Sequence, residues 1–410
     1  MTAARETAAD EWRRNWVLPF VAMLGNAAPT IFTHVTGVFM PVVMKEFGWS
    51  RTDYAAGLTF TMATGLLVVP FIGMLVDRIG PRPIALLGIP TFVIAFGSFG
   101  LASGDRTQWM LICALYAILA TLVTPTVWAA AVQSKFAAGR GVALAVVLSG
   151  AGLNAAITPL LATIYIQEFG WRLAYLGIAL TWAVFMLPLA FFFFHSALEK
   201  TGRQKRERMP LSAYKAAVLS RPFITLLVSA AMFAPIMLAM QINLIPTFRS
   251  HGIGATTAAG IAGIGGLAAI FGRVLAGTLI DRYSAKVIGA IAFSIPLLAS
   301  FALVTGGPSI PLAVLAATAV GFALGAELDV VGYLVSRYYP SNQFGGVYGL
   351  MTGIMAVTTS VGPLLASWLT DRTGDTLSFV YVASPVFVLG SLMLLTLPKP
   401  PPLRTGEAAH

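Results

Sequence analysis

The chain has 410 residues, of which 57% are hydrophobic and only 10% charged, and its net charge is +10. A soluble domain is about 25% charged, so a chain this poor in charge cannot cover a water-facing surface of its size. The composition excludes a soluble enzyme and predicts that lipid surrounds most of the chain.

Twelve apolar runs follow one another along the sequence. A helix that crosses a bilayer needs roughly 20 predominantly apolar residues. The twelve runs, numbered here as spans 1 to 12, are 16–40, 54–76, 83–103, 108–133, 142–167, 173–195, 222–246, 255–280, 287–305, 309–335, 345–370 and 376–397. They predict an all-α membrane protein with twelve transmembrane helices.

The longest polar interruption, 196–221, is rich in Lys and Arg. It predicts a cytoplasmic linker between an N-terminal six-helix bundle at 1–195 and a C-terminal one at 222–410. If both termini share one side, that side holds nineteen basic residues and the other holds six. The positive-inside rule then places both termini in the cytoplasm, for a protein of the inner (plasma) membrane. A nucleic-acid or anionic-lipid patch on the linker is the alternative, but orientation already explains the charge, so no nucleic acid is expected.

An internal repeat relates the two predicted bundles. A glycine, an aspartate and an arginine occur at the same spacing after span 2 and, 204 residues later, after span 8: Gly73, Asp77 and Arg78, then Gly277, Asp281 and Arg282. Related six-span halves are typical of secondary transporters, whose site lies at the midplane between the halves and which work by alternating access. The Asp and Arg residues at this membrane edge are predicted to act in gating; a solvated turn is the alternative.

Ionisable residues inside the spans are few. Arg273 in span 8 is the only Lys or Arg there, and Glu327 and Asp329 in span 10 are the only acids. Such residues are costly in lipid and indicate function by default. Arg273 either binds a substrate carboxylate through two parallel hydrogen bonds or forms a permanent ion pair with span 10, and both states can alternate as a switch.

The two acids lie two residues apart, about 200° around a helix, so only one is expected to face the central cavity. A carboxyl group in a low-dielectric site is more easily protonated than in water. Glu327 or Asp329 is therefore predicted to carry a proton and to pair with Arg273 when the substrate leaves. The alternative is that both acids are structural, and the sequence does not separate their roles.

Other polar side chains within the spans complete the predicted binding site. His34 lies deep in span 1 and titrates in the range of a proton relay, although a lone buried histidine is more often simply hydrogen-bonded. Predicted substrate contacts besides Arg273 and His34 are Tyr116, Tyr333, Asn154 and Gln241. Packing with a satisfied polar tip is the alternative for each of these.

Several motifs resemble a known family. The segment from Gly73 through Asp77 to Arg82 resembles the signature that the major facilitator superfamily carries between spans 2 and 3. A narrower resemblance, to its monocarboxylate and oxalate/formate branch, rests on four motifs in chain order: Phe47-Gly48-Trp49-Ser50-Arg51, Arg140-Gly141 with Ser149-Gly150 and Gly152, Phe169-Gly170-Trp171-Arg172, and Phe271-Gly272-Arg273. The resemblance implies the major facilitator fold and a substrate-binding arginine at position 273. Ala269 stands where animal monocarboxylate carriers place an acid, so their proton coupling does not transfer directly.

These features predict a secondary transporter of small organic anions, above all monocarboxylates, coupled to protons. The sequence has no phosphate-binding loop, no Cys/His cluster with metal spacing and no catalytic cluster. We therefore expect no cofactor, no metal and no enzyme activity, with energy drawn from ion gradients. We also expect a monomer, because the small-residue helix faces are needed inside the bundles. Alternatives are an anion exchanger without proton movement, an efflux carrier of apolar or cationic compounds, and a membrane-embedded enzyme or receptor.

Overall fold

The computed structural model describes residues 7–136, 139–195, 211–339 and 341–398, and these residues form helices and their connections without a strand. Span 1 consists of the helices Val17–Ala27 and Ile31–Phe47, span 2 of Arg51–Ile79 and span 3 of Pro81–Gly97. Span 4 consists of Arg106–Leu119 and Pro125–Lys135, and spans 5 and 6 together contain Arg140–Leu148 and Gly150–Phe193. Those of spans 7 to 12 are Arg221–Ser250, Ala255–Arg282, Ala285–Ser294 with Pro296–Gly306, Ile310–Tyr338, Ser341–Thr373 and Ser378–Leu395. Two short helices, Ala8–Asn15 and Leu211–Val218, precede spans 1 and 7.

The predicted count of twelve spans is confirmed once one long stretch is divided. Within the described residues, eleven helical stretches are long and apolar enough to cross a membrane, and one of them, Val142–Phe193, has 52 residues. At 1.5 Å per residue it would be about 78 Å long, more than twice a bilayer core of about 30 Å. Its helix breaks at Gly170, where φ is 76°, in the left-handed region that favours glycine. Spans 5 and 6 are therefore 140–169 and 171–193.

Several span boundaries differ from the predicted ones. Span 1 was predicted to end at residue 40, but its helix continues through Pro41 to Phe47. Proline is tolerated inside membrane helices because neighbouring groups satisfy the freed carbonyl oxygen. Residues 196–210 of the predicted linker lie outside the described residues, and the helix Leu211–Val218 is its described part.

The chain divides into two compact units, each described here by itself. The first unit contains the residues up to Val35 and those from Thr64 to the end of span 6, and the second contains Thr36–Ala63 and spans 7 to 12. The six-helix bundles at 1–195 and 222–410 stay a prediction, and the compact units differ from them in grouping Thr36–Ala63 with spans 7 to 12. These residues belong to the second unit because they contact it closely: the Thr59 hydroxyl, for example, donates to the Ser360 carbonyl oxygen at 2.7 Å.

The two units are packed with different residue types. The first unit buries large aromatic side chains, among them Trp109, Trp128, Tyr175, Phe92, Phe96 and Phe99. In the second unit, spans 8 and 10 make the most extensive contact of any helix pair. Glycine and alanine residues at this contact allow the backbones of spans 8 and 10 to approach closely, as at other small-residue interfaces of membrane helices.

Candidate functional site

A ladder of small residues joins spans 8 and 10 and ends at a charged pair. A Cβ atom added to Gly321 would overlap the Gly265 carbonyl oxygen, and one added to Gly325 would overlap that of Ala269. The contacts thus advance four residues at a time on both helices, about one turn. The next step along the same faces brings Arg273 opposite Asp329.

Arg273 and Asp329 form an ion pair at this position. The Arg273 Nε lies 3.3 Å from Asp329 Oδ2, and the two side chains are 19% and 31% exposed. The Arg273 Nη1 is buried and has no hydrogen-bond partner among the described residues. A guanidinium group has five N–H donors in a fork that fits two carboxylate oxygens. Asp329 therefore uses one edge of the fork and leaves donors for a second acceptor.

Glu327 is placed differently from Asp329. Its side chain is 5% exposed. Its Oε1 is buried and has no hydrogen-bond partner within the described parts of the chain. The two acids thus differ in contact, as expected for residues about 200° apart around a helix: Asp329 pairs with Arg273, whereas Glu327 is almost fully buried.

Tyr348 in span 11 lies near Arg273, Asp329 and Glu327. The sequence did not predict this position. The Tyr348 ring lies against span 10, because a Cβ atom added to Gly332 would be 3.5 Å from the ring edge and 3.6 Å from the hydroxyl oxygen. Asp329, Arg273 and Glu327 are the charged groups near its hydroxyl. Nothing in the sequence distinguishes this tyrosine from the other ten, because its role depends on how span 11 packs on span 10.

The remaining predicted site residues of the second unit are Tyr333 and Gln241. Tyr333 is half-buried one helical turn beyond Asp329, and Gln241 is half-buried within span 7. The structure therefore brings Arg273 and Asp329 into direct contact, and it places Tyr333 on the same helical face as Asp329.

The polar stripe of span 1 lies in the first unit and faces span 5. The Asn26 amide donates to the Val147 carbonyl oxygen at 3.1 Å, and Thr30 accepts from the Asn154 amide at 2.8 Å. His34 is half-buried and hydrogen-bonded to the backbone of Ala151. These contacts hold the two helices together, because buried polar groups require partners.

Tyr116 is packed within the aromatic core of the first unit. It is 3% exposed. Its ring centroid lies 5.2 Å from that of Phe32, 6.1 Å from Phe92, 5.9 Å from Phe96 and 5.5 Å from Phe99. Tilted pairs at these separations are favourable aromatic contacts. The geometry fits the packing interpretation of Tyr116 better than the substrate-contact one.

Of the four predicted gating residues, Arg78 and Arg282 are exposed at the ends of their helices. The side chains of Asp77 and Asp281 lie outside the described part. The start of span 2 contacts the end of span 11. There, Asp371 accepts hydrogen bonds from the backbone N–H groups of Arg51 at 3.2 Å and Thr52 at 2.8 Å. The sequence did not single out this contact, because it joins positions 319 and 320 residues apart.

The described residues include no group of three or more His, Cys, Asp or Glu side chains that could hold a metal ion. Arg273, Asp329, Glu327 and Tyr348 offer one guanidinium, two carboxyl groups and a phenol. Such a set can bind an anion, exchange ion-pair partners and hold a proton.

Comparisons with known proteins identify the family. The sequence profile of the Major Facilitator Superfamily matches residues 16–326 and 287–410. Monocarboxylate transporter 6 of Mus musculus is 25% identical over 433 aligned positions, covering 96% of this chain and 88% of that protein. The Fujikurins efflux protein of Gibberella fujikuroi is 25% identical over 370, covering 86% and 74%.

A solved structure has the same fold. It is a bacterial homologue of the human lysosomal transporter Spinster, which superposes with a TM-score of 0.66 at 16% identity and covers 96% of this chain and 98% of that one. The profile match, the twelve spans and this likeness agree with the resemblance read from the Gly73–Arg82 segment. This multi-pass membrane protein belongs to the Major Facilitator Superfamily of transporters.

Proposed function

We propose that this chain transports small organic anions, monocarboxylates in particular, by proton-coupled alternating access in the plasma membrane, with both termini in the cytoplasm. The observation that carries the proposal is that the guanidinium group of Arg273 has hydrogen-bond donors that Asp329 does not occupy. Its Nε pairs with Asp329, whereas its buried Nη1 has no partner among the described residues. A substrate carboxylate would accept hydrogen bonds from the unused donors and compete with Asp329 for the others.

The charge of the site supports a substrate with one carboxylate. Arg273 is the single Lys or Arg that the sequence places within a span. A dianion would require a second fixed cation, because an unpaired charge is costly in this environment. The likeness to monocarboxylate transporter 6 over nearly the whole chain supports the same substrate class.

The proton would be carried by a carboxyl group of span 10. Arg273 would exchange its partner Asp329 for the substrate carboxylate. The charged helix ends at Asp77, Arg78, Asp281 and Arg282 would act as gating contacts. His34, Asn154, Tyr116, Tyr333 and Gln241 remain proposed substrate-contacting residues, and His34 also a proposed proton relay, although the contacts of the first three favour packing.

Uptake into proteoliposomes tests the proposal. A panel of labelled carboxylates would be compared with and without an inward proton gradient, for the wild type, Arg273→Lys, Arg273→Ala and the exposed control Arg249→Ala. Arg273→Ala should lose about 10- to 150-fold in uptake, since a charged hydrogen-bonded contact contributes about 1.5–3 kcal/mol. Arg273→Lys should recover only part of this loss, because lysine keeps the charge but not the fork. Full uptake of every carboxylate by Arg273→Ala would refute the anchor role.

A second candidate is efflux of apolar or cationic compounds, which the likeness to the Fujikurins efflux protein favours. In that case the acids of span 10 would hold the cation. Substitution of Glu327 or Asp329 would abolish transport of such compounds from preloaded vesicles, and substitution of Arg273 would not. Uptake that requires a preloaded counter-anion and resists an uncoupler would instead indicate an exchanger.

A further inference from the structure

Glu327 is the buried ionisable group to which the proposed anion contacts give no role. It is 5% exposed, whereas Asp329, two residues further along span 10, is 31% exposed and paired with Arg273. No ion pair or hydrogen bond to Glu327 is present within the described residues, and its Oε1 is buried. The two acids therefore differ in both solvent contact and charge compensation.

The helices packed against span 10 bring few charges near Glu327. Spans 7, 8, 9 and 11 all contact span 10. Span 8 contributes Arg273, which pairs with Asp329, and span 11 contributes the phenol of Tyr348. The other charged residues of these four helices lie at or near helix ends: Arg221, Arg249, Asp281, Arg282, Lys286, Asp371 and Arg372.

Burial without compensation determines which form of Glu327 this conformation favours. An ionised carboxylate removed from water costs several kcal/mol unless a cation or several donors replace the water. The neutral acid avoids this cost.

We propose that Glu327 binds the transported proton and that Asp329 acts only as the exchangeable counter-ion of Arg273. This inference rests on the proposed anion transport. A proton that arrives at Glu327 from water neutralises one negative charge, and the substrate brings one to Arg273. The proton and the substrate anion add opposite charges, so the carrier that holds both has the same formal charge as the carrier that has released both, which removes the electrostatic penalty from crossing the apolar barrier. The proton returns to water on the other side when Glu327 becomes accessible there.

The experiment uses the full chain in proteoliposomes and compares Glu327→Gln with Asp329→Asn. Glu168→Gln is the control, because Glu168 is exposed. Glu327→Gln should retain measurable counterflow of labelled against unlabelled anion but lose accumulation driven by a pH gradient. Asp329→Asn should change the half-saturating anion concentration and keep the response to the gradient. Glu168→Gln should accumulate anion as the wild type does. Gradient-driven accumulation by Glu327→Gln, or its loss in Asp329→Asn alone, would overturn the proposal.

A measurement without substrate separates this inference from the anion proposal. Infrared spectroscopy of the purified protein should show the carbonyl band of a buried protonated carboxylic acid, and Glu327→Gln should lose it. If the band disappears but no carboxylate is transported, Glu327 is a protonated site and the substrate class is wrong. If the band is absent, or persists in Glu327→Gln, the assignment to Glu327 fails whatever the substrate.

Discussion

The Ala269 carbonyl oxygen occupies the position where a side chain at Gly325 would begin, one helical turn before Arg273 and Asp329. The ion pair therefore lies beside a contact in which two helix backbones touch. Close backbone approach of this kind is how membrane helices associate without a hydrophobic driving force. The site is thus positioned by packing that a single methyl group would disturb.

Replacement of Gly325 by alanine should destabilise the second unit. The added methyl group must displace the Ala269 backbone, and overpacking of this kind costs about 1–3 kcal/mol. Thermal unfolding of the purified protein in detergent would show the loss. Gly260→Ala in span 8 is the matched control, because nothing lies within 4 Å of a Cβ atom there. Equal unfolding temperatures for the two variants would contradict the close approach.

Arg273 and Asp329 should show coupled effects on stability. Arg273→Ala leaves an unpaired carboxylate, and Asp329→Ala leaves an unpaired guanidinium, so each single variant should lose about 1–3 kcal/mol. The double variant should lose less than the sum of the two, because no charge remains unpaired. A double-mutant cycle on thermal unfolding measures this difference. Simple additivity would show that the 3.3 Å contact contributes nothing.

Asp371 should slow amide hydrogen exchange at the start of span 2. Its carboxylate accepts from two backbone N–H groups and from the Thr52 hydroxyl at 2.5 Å, where the helix dipole favours an anion. Asp371→Asn should speed amide hydrogen exchange at Arg51 and Thr52 by about five-fold, which corresponds to about 1 kcal/mol. Asp375→Asn is the control, since Asp375 accepts from Leu377 within its own turn at 2.8 Å. Unchanged exchange in Asp371→Asn would show that the contact does not persist.

Asp10, outside the spans, provides a pH-dependent prediction. The Thr7 hydroxyl donates to its carboxylate at 2.6 Å, and this hydrogen bond lowers the pKa of Asp10. Because the folded form favours the ionised acid, the contribution to the helix Ala8–Asn15 is present above the ordinary pKa of about 4 and is lost as the pH falls through the lower folded value.

An NMR titration of the Asp10 carboxyl carbon tests this prediction. Thr7→Val should raise the pKa toward its ordinary value, and Thr52→Val, at the start of another helix, should leave it unchanged. An ordinary pKa for Asp10 in the wild type would contradict the hydrogen bond.

Much of the fold could be predicted from the sequence because lipid imposes long apolar runs. The grouping of Thr36–Ala63 with the second unit was not predicted. Apolar periodicity indicates where a helix crosses but carries no information on which distant helix it contacts. The Thr59–Ser360 hydrogen bond, between residues 301 positions apart, is such a contact.

Within the candidate site, the sequence selected the ionisable residues but did not predict which of them pair. The scarcity of charge in the spans was sufficient to select Arg273, Glu327 and Asp329. Which acid contacts the arginine depends on how spans 8 and 10 are rotated against each other, and this rotation is set by glycines whose contacts are visible only in three dimensions. Tyr348 was missed for the same reason.

The glycine contact between spans 8 and 10 also limits how the carrier can release its arginine. Tilting these two helices apart would first have to open a backbone-to-backbone contact one turn away, so we expect them to move together. Distance between the helices therefore cannot be what frees Arg273. We therefore expect Arg273 to be released by competition at its side chain, from an anion that replaces Asp329, which makes the trigger dependent on solution composition and not on mechanical displacement.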